Sequence, residues 1–394
     1  MLFAYSDLHN PDIIEKLKRL FENIPSNYLS TVAILTGGAE EKFIKAFKNG
    51  NLSPPIVVLA HKTQNSLPAA AEIMAYLHHR DIPAKLFLIP DEINELENAN
   101  NLAKLMKELD GKNIGILDEP SPWLISASTL TPYDLHSRWG LTIKKIPWKD
   151  FMDIYQKTPT EEDIHSFKSK LKKAEKILVP EEELVRQVRM YKALRILHEE
   201  NNLIGLTVKC FHLLQLIGSV PCLAFSVLNS EDNFILGCEG DIPALVAMII
   251  AKLLTGKSGF IANLNWFLDE NKILMSHCTS PISLLERFYI TTHFESGKGA
   301  AIKGHFPTGM KITLLKILPN GKLWFSTGTI TDKTDNPNIC RTQVTIKVDE
   351  NTYNILKTGR LGNHSVLVPG DLSPILKHFS WIYKDLLYYS NHNL

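Results

Sequence analysis

The residues best suited to chemistry in this chain gather in the stretch Gly237-Cys238-Glu239-Gly240-Asp241-Ile242-Pro243-Ala244. Two carboxylates stand two residues apart between a glycine turn and an apolar run over 245–254. That run predicts a helix starting near Asp241, with Pro243 in its first turn and Gly256 after its end. Residues 221–227 read as a buried strand upstream of it. Glu239 and Asp241 then fall in the crevice between a strand end and a helix start, where open α/β folds bind ligands. A carboxylate at a helix N-terminus is equally an ordinary cap, favoured by the helix dipole. Both readings stand at this point.

His277 and His364 are the natural companions, each in a loop or at a strand end beside Gly, Pro or Ser. Carboxylate and imidazole together suit Mn²⁺ or a similar divalent ion with open coordination positions. The spacings are long, 38 residues from Glu239 to His277 and 87 from His277 to His364. No helical two-histidine motif is present, so only the fold could bring these groups together. A lone loop histidine is also often just a hydrogen-bonded polar residue. The five cysteines, Cys210, Cys222, Cys238, Cys278 and Cys340, include no CxxC pair. They read as reduced thiols of a cytoplasmic protein and not as a structural zinc site.

Lys plus Arg is 43 and Asp plus Glu is 42, a net charge of +1. That balance offers no electrostatic reason to expect nucleic acid or an anionic membrane as partner. The longest apolar run is too short to span a bilayer, and the N-terminus lacks the pattern of a signal peptide.

The elements that must position these residues follow from periodicity. Strands are expected at 2–5, 31–36, 56–60 and 84–89, alternating with helices at 13–21, 40–47, 69–79 and 96–109. Such βα repeats imply a parallel sheet covered by helices. Gly37-Gly38 lacks both the dinucleotide fingerprint and the P-loop lysine, and reads as a turn. A second βα series runs through strands at 113–117, 141–146 and 203–208, with a charged, solvated helical hairpin over 160–200. From about 258 onward short strands follow at 258–264, 273–275, 288–292, 299–303, 311–317, 322–327 and 343–348. The later, turn-divided ones suggest an antiparallel sandwich or barrel. An aromatic-rich helix at 376–389 closes the chain. The expected layout is α/β, with two Rossmann-like doubly wound domains (1–111 and 112–265) followed by a C-terminal antiparallel β-barrel-like domain (266–394).

Residues 237–254, 261–263, 275–281 and 362–371 together resemble the L-fucose isomerase and L-arabinose isomerase superfamily, in its compact fucose-isomerase-like branch. Asp118-Glu119-Pro120-Ser121-Pro122-Trp123-Leu124-Ile125-Ser126 and His293-Phe294-Glu295-Ser296-Gly297-Lys298-Gly299 look like signatures of its second and C-terminal domains. The resemblance implies a cytoplasmic, Mn²⁺-dependent aldose–ketose isomerase acting on a small-molecule sugar, a pentose or 6-deoxyhexose. It also implies a homo-oligomer, commonly a hexamer with sites between subunits. Glu239 and Asp241 match a carboxylate pair that supplies a metal ligand and an acid/base. His277 and His364 match metal-binding histidines.

Two positions depart from the pattern. Asn263 stands where an acidic residue is usual, and His212 falls in a segment that carries a catalytic acid in fucose-type enzymes. The expected catalytic set is therefore Glu239, Asp241 and His212, and the expected metal set Glu239, Asp241, His277 and His364. His212 either replaces the missing acid or packs behind the site. The implied chemistry is proton transfer between C1 and C2 of an open-chain sugar through an enediol. A family member that binds a sugar or metabolite without turnover is the alternative, and the two departures support it.

Overall fold

The computed structural model describes residues 1–231 and 234–388. They divide into two compact units, Met1–Glu108 with Pro374–Leu387, and Leu109–Ser373 continuing from Tyr388. The fold is mixed α/β, with parallel sheets and a closed six-stranded antiparallel barrel. Among the described residues no helix is long and apolar enough to cross a membrane.

In the first unit, β1 (Leu2–Ala4), β2 (Ser30–Ile34), β3 (Ile56–Ala60) and β4 (Ala84–Leu88) pair in parallel in that order. Every residue of β3 is buried, the continuous apolar run expected of a strand covered on both faces. Val32, Ile34, Ile56 and Val58 pack with Phe43, Ile73 and Leu77 of the intervening helices. The strand order increases steadily, so this sheet lacks the reversal that the doubly wound expectation required. The expected terminal helix 376–389 is also different. Its described part is three short turns, Ser373–Leu376, Phe379–Ile382 and Lys384–Leu386, and residue 389 lies outside the described residues. Trp381 and His378 set their rings against Phe87, and Lys377 pairs with Glu95. Those contacts tie the segment to the first unit.

The second unit opens with β5 (Asn113–Leu117), β6 (Thr142–Ile146), β7 (Lys176–Ile177), β8 (Leu203–Val208) and β9 (Leu236–Gly237). Four of them form a parallel sheet in the order β6-β5-β8-β9. Here the order does reverse, because the chain goes from β5 to one neighbour and later returns to the other. The loops that leave β5 and β8 diverge at this switch point, the usual ligand crevice of such sheets. Helix Glu181–Glu200 is less solvated than its charge suggested. It buries Leu184, Val188, Met190, Leu194 and Leu197.

Residues 221–227 form no strand. Cys222–Leu228 is a short helix buried at every position. Continuous burial erases the periodicity that would tell helix from strand in so short a run.

The chain continues through β10 (Phe260–Leu268), β11 (Lys272–His277), β12 (Arg287–Thr291), β13 (Ala301–His305), β14 (Lys311–Ile317), β15 (Leu323–Asp332), β16 (Thr342–Val348) and β17 (Ser365–Pro369). The barrel runs β10-β11-β16-β15-β14-β17, and β17 closes on β10. Closure leaves no unpaired edge. β12 and β13, expected in the barrel layer, instead join β7 in a separate three-stranded sheet. Phe260, Ile273, Leu314, Trp324 and Ile346 fill the barrel core. Ile346→Ala, at a fully buried position, is expected to cost about 2–5 kcal/mol, read as a lower urea midpoint for unfolding of this unit.

Candidate functional site

Three pieces of the second unit meet at one point: the turn after β9, the end of β11 and the residue before β17. Glu239 sits in the turn with φ +62°, and His364 has φ +53°. Left-handed backbone at non-glycine residues is uncommon and costs free energy, so surrounding contacts must hold it. Around Glu239 those contacts are visible. Gly240 N–H donates to Val208 O of β8, and Ser121 N–H donates to Glu239 O. The loop after β5 therefore lies directly on the turn. It lies so close that a Cβ on Gly240, itself at φ +72°, would come within 2.8 Å of Glu119 O and Pro120 Cα. From this loop the Trp123 indole N–H donates to Glu239 Oε2.

The other oxygen of Glu239 faces two imidazoles. His277 Nε2 lies 3.5 Å and His364 Nε2 3.7 Å from Oε1. Each ring is oriented by a partner on its far nitrogen: His277 Nδ1 meets Thr279 Oγ1 at 3.0 Å, and His364 Nδ1 meets Asp241 Oδ2 at 2.9 Å. Asp241 thus does two jobs. Its Oδ1 accepts from Ala244 N–H at 2.8 Å as the N-cap of helix Ile242–Thr255, and its Oδ2 fixes the His364 ring. Cap and site are one residue. Such outer partners set which ring nitrogen is offered to an ion. Lys316, buried, donates to Asn363 O and His364 O and so pins the backbone that carries His364.

Among the described residues, the donors that all meet within 4.8 Å are those of Cys238, Glu239 and His277. They border a chamber of about 30 Å³ that Asn263, His293 and Glu295 also line. A larger cavity of about 330 Å³, walled mainly by apolar side chains such as Trp123, Ile125 and Leu315, is bordered by Asp241, Lys316 and His364. That size suits a small molecule.

The structure brings together Glu239, Asp241, His277 and His364 across 125 residues of sequence. It does not bring His212 to them. On helix Cys210–Ile217 successive side chains point about 100° apart. Phe211 takes the inward position, against Trp123 and His293, while His212 stacks on Trp148 at 5.0 Å. Asn263 lines the chamber and accepts from Asn363 Nδ2 at 2.7 Å, an amide pairing in place of a charge. Residue types alone did not single out Trp123, Cys238, His293 or Glu295. Their only signal was position within stretches of apparent family likeness.

Burial alone would raise the Glu239 carboxyl. The His277 hydrogen bond, the charges of His364 and His277 and the Trp123 indole outweigh it and hold the pKa at about 2. Burial pulls His364 down, but the hydrogen bond and charge of Asp241, with Glu239, leave it raised. His293 is lowered to about 4, first by burial and then by the charges of His277 and Arg341. Glu295, exposed on one side while lining the chamber, is shifted the other way from Glu239, raised by partial desolvation and by the Glu239 charge.

No protein-family model matches the chain. Two curated proteins do. Sulfoquinovose isomerases of Priestia aryabhattai and of Priestia megaterium are each 24% identical to it over 290 residues. The similarity is distant. It covers 67% of this chain and 62% of each relative, so less than two thirds of their length is matched.

Two outcomes are expected from this geometry. Gly240→Ala should lose about 1–3 kcal/mol, the range for a strained backbone position, measured by thermal unfolding with the Trp123 indole N–H signal displaced in NMR. Glu239 binds a proton more weakly folded than unfolded. Its stabilisation is therefore complete above the ordinary value of 4.5 and fades as pH falls toward about 2. The stability gap between wild type and Glu239→Gln should accordingly narrow over that window by on the order of 3 kcal/mol. A gap that is flat with pH would mean the carboxylate is not paired as described.

Proposed function

We propose that this protein is an aldose–ketose isomerase acting on a pentose or a 6-deoxyhexose through an enediol, with a divalent cation of the Mn²⁺ kind. The observation that carries the reading is the convergence of His277 Nε2 and His364 Nε2 on one oxygen of Glu239, beside a cavity of about 330 Å³. The distant likeness to sulfoquinovose isomerase supports sugar isomerisation as the reaction class. It does not name the sugar.

The donor chemistry fits the cation. Glu239 is ionised down to about pH 2, and both imidazoles have their far nitrogens occupied. Glu239, His277 and His364 would hold the ion, with Asp241 fixing His364. When bound, such an ion acts as a Lewis acid toward the sugar oxygens.

The chain's own residues divide the remaining work. The low pKa of Glu239 makes it a poor base and a good permanent anion. Glu295 is the better proton carrier, because its carboxyl is raised and it lines the same chamber. Two carboxyl groups with pKa values pushed apart are the usual mark of divided acid and base roles. Trp123 holds Glu239 from its other oxygen, and the apolar wall of the larger cavity limits water around the reacting carbons. A homo-oligomer in the cytoplasm goes with this reading, following the superfamily resemblance.

A second reading keeps the binding and drops the turnover. Its support is Asn263, which puts an amide where a carboxylate would add charge. A panel of aldoses and ketoses assayed with and without Mn²⁺ separates the two, with Mn²⁺-stimulated interconversion expected for the first. Under that reading, Glu295→Gln should lower kcat by about 10²–10⁴-fold with Mn²⁺ content unchanged, whereas His364→Ala should lose the metal itself. Full kcat in Glu295→Gln would remove Glu295 from the mechanism.

A further inference from the structure

All five cysteines of the chain, spread from 210 to 340 in sequence, line the 30 Å³ chamber. Packing accounts for some of them. Cys222 and Cys278 sit with Val220 and Ala301 in a small apolar cluster that Cys340 flanks, as small buried hydrophobes often do. The other two lie outside that cluster. Cys210 Sγ and Cys238 Sγ lie 3.2 Å apart. Cys238 Sγ, a Glu239 oxygen and a His277 nitrogen lie within 4.8 Å of one another.

We propose that Cys238, Glu239 and His277 form a thiophilic cation site, with the Cys210 sulfur set against that of Cys238, which takes Zn²⁺ or a similarly soft divalent ion in competition with the harder one. One sulfur, a carboxylate oxygen and an imidazole nitrogen make a three-donor set of the kind zinc accepts with a fourth position left open. At mixed nitrogen, oxygen and sulfur donors zinc outranks manganese, and thiolates widen that gap. The chamber has room for a body the size of one or two waters, so it suits an ion. Thr279 Oγ1 already holds the far nitrogen of His277, the outer contact a ligating imidazole needs. Binding transfers the Cys238 thiol proton to solvent as the sulfur–metal bond forms. Because Glu239 and His277 would serve either ion, occupancy on the sulfur side removes two donors from the harder ion and inhibits any activity that depends on it. The site itself does not require the isomerase reading.

The test uses the full chain, kept reduced with a phosphine, and Cd²⁺ as the probe. A thiolate-to-cadmium charge-transfer band should rise in the near ultraviolet and saturate near equimolar Cd²⁺. It should be lost in Cys238→Ser and persist in Cys340→Ser. No band in the wild type, or an undiminished band in Cys238→Ser, overturns the proposal. A serine in so buried a place can impair folding, so X-ray absorption on the Zn²⁺-loaded wild type supplies a second measure. Sulfur neighbours at about 2.3 Å support the site, and a shell of only nitrogen and oxygen overturns it. Neither readout involves turnover, so this proposal and the isomerase reading can fail independently.

Discussion

A negative charge held out of water is the constraint on which the second unit turns. Glu239 is buried, and a buried carboxylate is costly unless charged or hydrogen-bonding partners surround it. Trp123 comes from the loop after β5, His277 from the end of β11, and His364 from the residue before β17. Each belongs to a different part of the chain. Satisfying one carboxylate therefore joins the parallel sheet to the barrel at a defined point. The left-handed turn at Glu239 and the close approach at Gly240 are the local cost of that arrangement.

Asp241 extends the same logic one shell outward. A capping carboxylate has two oxygens, and the helix needs only one of them. The other is free to orient an imidazole. Lys316 does the matching work from the barrel side, donating to the carbonyls of Asn363 and His364. Groups that hold a site are thereby built into ordinary fold elements, a helix cap and a barrel strand, instead of being added to them. This economy makes the site rigid without requiring a long run of specialised sequence.

The chamber has two chemical characters. Toward His364 it offers oxygen and nitrogen, and toward Cys210 and Cys238 it offers sulfur. Glu239 and His277 stand where the two meet. Which ion such a site takes depends on donor softness and metal availability more than on raw affinity. The neutral Asn263 adds an amide oxygen without adding negative charge. Glu295 supplies an exposed carboxyl nearby.

Local chemistry determined much from sequence alone. The helix cap at Asp241, the proline in its first turn and the glycine after its end lie where nearest-neighbour sterics and hydrogen bonding put them. Strands such as Ile56–Ala60 and Asn113–Leu117 are written as apolar runs bounded by turn residues. The candidates Glu239, Asp241, His277 and His364 were also legible, as residue types beside turns. Tertiary structure decided the rest. Cys222–Leu228 is helical because its neighbours bury every side of it, which no period records. Residues 287–291 pair with β7 and not with the barrel because strand partners are chosen across long stretches of chain. His212 turned away and Phe211 turned in through a single step along a helix. Five scattered cysteines became one wall. Periodicity and capping act over a few residues and can be read in order, whereas pairing and burial are settled between distant segments and exist only once the chain has closed on itself.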